Sequence, residues 1–296
     1  MAKTRELKRR IKSVESTRQI TKTMEMVATS RLKRARDRVV AARPYARALA
    51  EVLGDLYEPS LAERFPLLRQ PEQRRKVALL FITSNRGLCG GFNANLIRRA
   101  NQRLQELEAE GAEVELHGIG RKGIGFFKYQ GRAMAQARDD IGDRPTAEHA
   151  VELVTPLMER FQSGELDAIE VVFAQFNNPM STPPALLPVL PVSPPEAVRQ
   201  DDSTAERASL PNYILKPSAE ALLKDILPMY VQNQMYRALV ETAASENGAR
   251  RTAMKSATDN AGDMIDYLRR NYNRARQAQI TQEIAEIVGG AEAQKG

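Results

Sequence analysis

Both ends of the chain carry hydrophobic residues at a spacing typical of very long helices. From Leu7, alternating steps of four and three residues reach Leu56, and twelve of the fifteen positions are apolar. A 3.5-residue repeat kept over this length predicts a supercoiled helix that packs on a partner. Near the other end the same stepping reaches ten positions, of which eight are apolar. The ten are Met254, Ala257, Ala261, Met264, Leu268, Asn271, Ala275, Ala278, Gln282 and Ala285. Alanines let two backbones approach closely, so we expect an antiparallel pair.

The two predicted coiled-coil helices differ in length. Residues 1–57 form the first and residues 218–288 the second, which correspond to roughly 80 Å and 105 Å at about 1.5 Å per residue. The second helix should therefore overhang the first by roughly 25 Å, and Gly289 and Gly290 should end it. The overhang carries an apolar face that needs a socket, formed by Ile280, Ile284, Ile287 and Val288.

Residues 75–195 show a different pattern, in which short apolar runs alternate with helical periodicity. Strands are predicted at residues 76–83, 113–117, 133–138, 167–176 and 185–190. Helices are predicted at 93–107, 122–129 and 146–162, the last with Thr146 as a candidate cap. This alternation indicates an open, Rossmann-like α/β domain. Nine of the sixteen prolines lie from Pro179 to Pro217, so residues 196–217 read as a linker.

Composition narrows the class of protein. The longest wholly apolar run, residues 77–82, is too short to span a membrane, and the charged start MAKTRELKRR does not resemble a secretory signal. The single cysteine, Cys89, excludes an internal disulfide and fits a reducing compartment. We therefore expect a soluble chain with one compact domain and a coiled coil.

Positive charge is concentrated at the start of the chain. The first fifty residues hold 15 Lys and Arg against 4 Asp and Glu, whereas the whole chain has a formal net charge of +7. Such a helix suits nucleic acid, a membrane surface or an acidic protein, and the alternative is a solvated coiled-coil flank. Only Tyr45 is available there for base stacking, so we favour an acidic protein surface and expect no nucleic-acid ligand.

Two glycine clusters raise the possibility of nucleotide binding. Residues 87–91, GLCGG, lie between a strand and a helix but lack the Lys-Ser/Thr of a phosphate loop. Gly118, Gly120 and Gly123 match G-x-G-x-x-G after a strand, with Asp139 after the next strand. The helix that follows has room for only about two turns, so a tight-turn role is the simpler interpretation. A nucleotide-dependent enzyme using this loop remains the alternative function.

Other catalytic signals are scarce. His117 and His149 are the only histidines, and neither has a recognisable metal or triad spacing. Cys89 lies near a helix start, where a thiolate is favoured, but a small buried cysteine is the simpler interpretation. We therefore predict no catalytic residue, no metal and no cofactor.

Four blocks, in order along nearly the whole chain, resemble the gamma subunit of the rotary F-type ATP synthase. They are ITKTMEMVA (20–28), SNRGLCGG (84–91), AMKSATDN (253–260) and RARQAQITQE (274–283). The resemblance implies that the coiled coil is a rotor shaft inside three alpha and three beta subunits. It also implies that the α/β domain sits, with the epsilon subunit, on the ring of c subunits. The chain would catalyse nothing itself and would lie peripherally at the cytoplasmic face of the bacterial inner membrane, touching the membrane only through the c ring.

The resemblance also assigns roles to particular residues. Met24 should lie near Arg276 and Gln277, where shaft and beta subunits engage, with Thr281 adding a polar contact. The tip residues should turn in an apolar sleeve. Acidic lever segments of the beta subunits should meet the basic helix at Arg31, Lys33, Arg34 and Arg36. In the family pattern the second glycine cluster is Ile-Gly-x-Lys-Gly, so Gly118 is an addition that completes the dinucleotide fingerprint by coincidence.

Overall fold

The computed structural model describes residues 2–56, 64–192 and 219–293. The predicted linker, residues 196–217, lies outside them. Besides a 3₁₀ turn at Pro66–Leu68, the helices and strands are α1 (Ala2–Leu56), β1 (Lys76–Ile82), α2 (Phe92–Ala109), β2 (Glu113–Ile119), α3 (Arg121–Tyr129), β3 (Gln136–Arg138), α4 (Ala147–Gln162), β4 (Ala168–Ala174), β5 (Pro184–Leu190) and α5 (Ala219–Ala293). The predicted class, an α/β sheet between two long terminal helices, is confirmed.

The chain divides into two compact units. The coil unit comprises the described residues up to Thr29 and from Arg250 onward, and the sheet unit comprises the described residues of Ser30–Ala249.

The sheet unit is built on one five-stranded sheet in the order β3-β2-β1-β4-β5. The first four strands are parallel, and β5 pairs antiparallel with β4 at the edge. The central strands β1 and β4 are buried along nearly their whole length, which explains why they read as continuous apolar runs. Pro184 and Pro188 are tolerated in β5 because an edge strand leaves one side of its backbone unpaired.

Both faces of the sheet are covered by helices. One face packs against α4 and the first turns of α5, in a cluster that includes Leu153, Phe161, Leu227 and Val231. The other face packs against α2 and α3, where Phe81 and Phe127 are in ring contact with centroids 4.7 Å apart. Thr146 caps α4 by accepting a hydrogen bond from the His149 amide, as predicted.

In the coil unit, α1 and α5 run antiparallel. Three side-chain hydrogen bonds show this direction, because later residues of α1 contact earlier residues of α5. The bonds are Thr4 to Gln279 (3.2 Å), Arg269 to Glu15 (2.7 Å) and Thr258 to Thr21 (2.8 Å). The described α1 seam positions are buried or half-buried along the whole helix, except for Arg18.

The C-terminal seam is shifted from the prediction. Met264 is 54% exposed, whereas its neighbour Ile265 is 3% exposed. Ala278 is also exposed, and the buried positions are Met254, Thr258, Ala261, Ile265 and Leu268, whereas the predicted Ala257 and Asn271 are only half-buried. The order of the four- and three-residue steps is therefore reversed. Every seventh position is common to both orders, and the two orders differ in whether Ile265 or Met264 is buried.

The predicted helix end at Gly289 and Gly290 is wrong, because α5 continues to Ala293. Glycine lowers helix propensity by about 1 kcal/mol relative to alanine but ends a helix only when it adopts the left-handed conformation. Neither glycine has a positive φ. Because Thr4 faces Gln279, the helix extends about 20 Å beyond that pair, close to the expected overhang.

Candidate functional site

The four basic residues of α1 assigned to partner contact lie in two different environments. Lys33, Arg34 and Arg36 are exposed. The Arg31 side chain is only one-third exposed, and its Nη1 atom lies 2.6 Å from the Asp143 carboxylate. Arg31 therefore has an acidic partner in its own chain, which competes with any partner subunit.

Packing of α1 in the sheet unit explains this division. Leu32, Ala35 and Val39 are buried at three- and four-residue spacing, in a cluster completed by Phe176, Val240 and Ala244. Residues between these positions point away from the cluster because a helix turns about 100° per residue. Lys33 and Arg36 therefore lie on the solvent side.

The predicted contact residues of the coil unit do not form one site. Met24 is half-buried, and Arg276, Gln277 and Thr281 are exposed. The register that pairs Thr21 with Thr258 and Thr4 with Gln279 puts Arg276 about 30 Å from the level of Met24 along the coil. The expectation that they are neighbours is wrong. A seven-residue repeat allows several registers, and the sequence does not choose among them.

The tip of α5 exposes the predicted apolar face. Ile280, Ile284, Ile287 and Val288 are 42%, 56%, 72% and 53% exposed, respectively. They lie on one side of the helix because they are spaced by three or four residues. Contiguous exposed apolar faces are typical of interaction sites.

The G-x-G-x-x-G loop has no backbone amide free for a phosphate at the start of α3. The first three amides donate to acceptors in the segment after β1: Arg121 to Asn85 Oδ1 (2.9 Å), Lys122 to the Ser84 carbonyl (3.1 Å) and Gly123 to Thr83 Oγ1 (2.9 Å). Dinucleotide-binding loops use such amides to hold the pyrophosphate. These amides are therefore not available to hold a pyrophosphate, which argues against the alternative function, a nucleotide-dependent enzyme using this loop.

The three glycines instead permit close packing. A Cβ at Gly118 would lie 2.8 Å from Phe81, and one at Gly123 would lie 2.6 Å from the same ring. Gly120 has a φ of +93°, and a Cβ there would lie 2.0 Å from the Thr83 carbonyl oxygen. The glycines are thus required by the approach of β2 and α3 to β1.

The other glycine cluster forms a turn around a buried thiol. Leu88 and Gly90 have positive φ values of 62° and 60°. Cys89 is 2% exposed, and Asn93 Nδ2 donates a hydrogen bond of 3.2 Å to its sulfur. The simpler interpretation of Cys89, a small buried cysteine, is confirmed.

His117 is a buried titratable side chain in the sheet unit. It is 5% exposed on β2, and neither ring nitrogen has a hydrogen-bond partner among the described residues. Burial lowers its pKa, although Glu115 opposes the shift.

We therefore expect the free energy of unfolding to fall as the pH drops below about 6.5, the pKa of a histidine in an unfolded chain. Below that pH His117 is protonated in the unfolded chain but stays neutral in the folded one. The free energy of unfolding therefore falls by about 1.4 kcal/mol per pH unit until the lowered pKa is reached. Urea unfolding between pH 7.5 and 5.5 measures this slope. His117→Leu should flatten it and His149→Gln should keep it; equal slopes in wild type and His117→Leu would contradict the assignment.

Comparison with known proteins identifies the family. The family described as ATP synthase matches residues 3–294. The ATP synthase gamma chain of Gemmatimonas aurantiaca is 58% identical over the full length of both chains, and that of Leptospira biflexa is 42% identical over 99% of each. The chain belongs to the ATP synthase gamma-chain family. Its relatives are named as a chain of that enzyme, so it is a non-catalytic subunit of the ATP synthase complex, as the resemblance implied.

Solved structures agree on the fold. A chain of the Euglena gracilis mitochondrial ATP synthase, described as OSCP/F1/c-ring, superposes with a TM-score of 0.65 at 20% identity, covering 99% of this chain and 94% of that one. A chain of the Tetrahymena thermophila enzyme, described as central stalk/c-ring, gives a TM-score of 0.58 and covers 80% of this chain and 99% of that one. No described helix has the length and apolar character needed to cross a bilayer.

Sequence reasoning missed a polar connection between α5 and β4. Thr242 Oγ1 accepts from the Ala174 amide (3.2 Å), Ser245 donates to the Ala174 carbonyl (3.2 Å), and Glu241 accepts from the Phe176 amide (3.1 Å). All three α5 side chains are buried. These bonds hold the helix against the carboxyl end of the strand. The available signal was the set of polar residues after Val240, namely Glu241, Thr242, Ser245, Glu246 and Asn247.

Proposed function

We propose that this chain rotates inside a ring of three alpha and three beta subunits and couples ion-driven rotation to ATP synthesis at the beta subunits. The observation that carries this proposal is the chemical difference between the two helices of the coil unit. Between residues 256 and 268, α5 exposes Asp259, Asp263 and Asp266 and has no basic residue. The facing stretch of α1, about residues 15–24, exposes Arg18 and Lys22 and one carboxylate, Glu15, which is paired with Arg269.

Unlike faces convert rotation into differential binding. At any angle, each of three beta subunits around such a coil meets a different surface, one basic, one acidic and one mixed. A ligand shifts a conformational equilibrium only by its difference in affinity for the two states. A shaft with identical faces would bias all three subunits equally, whereas this one biases them differently.

Particular residues are proposed to make the contacts. Acidic lever segments of the beta subunits meet the exposed Lys33, Arg34 and Arg36, with Arg31 available only if its pair with Asp143 opens. Arg276, Gln277 and Thr281 contact the ring at a second level, far from Met24. The apolar tip turns in a sleeve of the ring, which would cover Ile280, Ile284, Ile287 and Val288.

The partners at the membrane follow from the same proposal. The sheet unit, together with an epsilon subunit, would sit on the c ring, so the chain would be peripheral at the cytoplasmic face of a bacterial inner membrane. The F1/c-ring and central stalk/c-ring assemblies named for the Euglena and Tetrahymena chains support association with F1 and a c ring.

Reconstitution tests the function. Full-length chain is mixed with separately purified alpha and beta subunits from the same source, and assembly and ATP hydrolysis are compared with a mixture lacking the chain. We expect a 3:3:1 complex with strongly enhanced turnover, and failure to assemble with competent partners would contradict the proposal. Within the complex, Lys33→Glu with Arg36→Glu should lower turnover several-fold, because like charges repel acidic levers.

A matched control separates contact from net charge. Arg43→Glu with Arg47→Glu makes the same charge change at exposed positions of the same helix. This pair should leave turnover close to wild type. Equal losses in both double variants would mean that Lys33 and Arg36 make no specific contact.

A further inference from the structure

The sheet unit contains an arginine-lined groove that shares Arg31 and Arg34 with the proposed beta-subunit contacts and extends well beyond them. Two adjoining cavities, of about 320 and 150 Å³, share Arg31 and Asp143 in their walls. The groove lies between α1, α5, the loop before α4 and the carboxyl ends of β1 and β2. We call it the arginine groove, after the residues that line it: Arg31, Arg34, Arg38, Arg86, Arg121 and Arg144.

Positive charge in the groove exceeds the negative charge that faces it. Six guanidinium groups line the walls, against the carboxylates of Asp143 and Glu246. Within the described parts of the chain, no carboxylate lies at salt-bridge distance from Arg34, Arg38 or Arg144. The carboxylate that lines the smaller cavity with them, Asp143, is engaged by Arg31 at 2.6 Å.

The helical spacing makes this crowding unfavourable in the empty groove. Arg31, Arg34 and Arg38 are three and four residues apart, so α1 places them on one face, where like charges repel. Arg144 comes from the loop between β3 and α4, which is anchored by the buried Ile141 and Pro145. The fold therefore brings a fourth cation to a face that already carries three. An anion between them would relieve the repulsion.

Position and shape indicate which kind of anion fits. Open α/β sheets bind ligands in the crevice outside the carboxyl ends of their parallel strands, where the larger cavity lies. Its volume is at the lower end of the range for small-molecule sites, and part of its wall is apolar, formed by Ile82, Ile119 and Ile141. Planar guanidinium groups match phosphoryl oxygens in bidentate geometry. A concave site of this size favours a small molecule over a protein segment.

We propose that the arginine groove binds a small anion with two or more adjacent phosphoryl groups, held chiefly by Arg34, Arg38 and Arg144. The apolar wall of the larger cavity would receive any organic part of the ligand. This is a non-catalytic site that takes Ile119 and Arg121 from the G-x-G-x-x-G loop but does not use the loop's backbone amides, and it goes beyond the shaft function.

Calorimetric titration of the full-length chain with inorganic pyrophosphate tests the proposal. We expect saturable binding of one pyrophosphate per chain, tighter than orthophosphate, and weaker at 0.5 M than at 0.05 M salt because exposed charges are screened. Arg38→Gln with Arg144→Gln should weaken binding about tenfold or more, since each removes a charge-assisted contact. These two positions are outside the proposed beta-contact set.

The control removes the same charge elsewhere in the sheet unit. Arg43→Gln with Arg98→Gln changes two exposed arginines that do not line the groove, and binding should stay within about twofold of wild type. Circular dichroism verifies that both variants are folded. A titration with ADP adds a second arm: binding tighter than pyrophosphate would place an organic group on the apolar wall, and equal binding would assign the affinity to the phosphoryl groups alone.

Three results would overturn the proposal. They are no saturable pyrophosphate binding by the wild-type chain, equal weakening in the groove and control variants, and binding of an acidic peptide as tight as that of pyrophosphate. The last would assign the groove to a protein partner. Because the titration uses the chain without alpha and beta subunits, its failure would leave the shaft function standing.

Discussion

Gly120→Ala should destabilise the sheet unit by about 2–5 kcal/mol, because it combines overpacking with a left-handed backbone that alanine disfavours. The new Cβ would lie 2.0 Å from the Thr83 carbonyl oxygen and 2.6 Å from its carbonyl carbon. These are backbone atoms at the end of β1, so relief requires β1 and β2 to separate. The free energy of unfolding in urea measures the loss.

Gly125→Ala, on the helix that follows Gly120, provides a control of opposite sign. A Cβ at Gly125 meets nothing within 4 Å. Alanine there should stabilise α3 by about 0.5–1 kcal/mol, since glycine is a poor helix former. Equal effects of the two substitutions would show that Gly120 is not constrained by Thr83, and would reopen the question of why a glycine stands there.

Glu170→Ala should cost about 3–5 kcal/mol, the range for removing one partner of a buried ion pair. Glu170 is 2% exposed in the middle of β4, and it accepts hydrogen bonds from Arg103 Nε (2.7 Å) and Nη2 (2.8 Å). Arg74 adds a third contact at 3.1 Å. The Glu170 hydrogen bonds raise the Arg103 pKa further. Without Glu170, the mostly buried guanidinium loses its main partner.

Two further variants separate the pair from its surroundings. Arg103→Leu with Glu170→Leu removes both charges and should recover most of the loss, because apolar side chains of similar size replace a buried pair at little cost. Arg132→Leu breaks the more exposed pair with Glu108 and should cost no more than about 1 kcal/mol. Urea unfolding, together with hydrogen exchange of the β4 amides, measures each variant. A loss below about 1 kcal/mol for Glu170→Ala would mean that water replaces the carboxylate.

Local patterns in the sequence predicted most elements of the sheet unit. The apolar runs at residues 76–83 and 167–176 correspond to β1 and β4, and the run at 185–190 corresponds to the edge strand β5. These predictions succeeded because strand and helix periods are local properties of the chain. The buried Glu170 shows the limit of this reasoning. Nothing in the sequence near β4 reveals that Arg103, on α2, will meet it.

The coiled coil shows a second limit. The heptad pattern predicted that the two helices pair, but it did not identify Ile265 over Met264 or the register that separates Met24 from Arg276. Both choices depend on how the surface of α1 matches α5 across the seam. A repeat every seven residues offers nearly equivalent solutions, and side-chain fit along the whole interface selects one of them.

The sequence by itself determined that two long helices flank an α/β sheet, that the α5 tip is apolar and that α1 is basic, because each follows from residues close together in the chain. Tertiary structure decided which residues are available to contact a partner or a ligand. It paired Arg31 with Asp143, gathered Arg34, Arg38 and Arg144 around one groove, and turned the first amides of α3 toward the end of β1. These outcomes depend on contacts between segments far apart in the chain, and no local pattern encodes such distances.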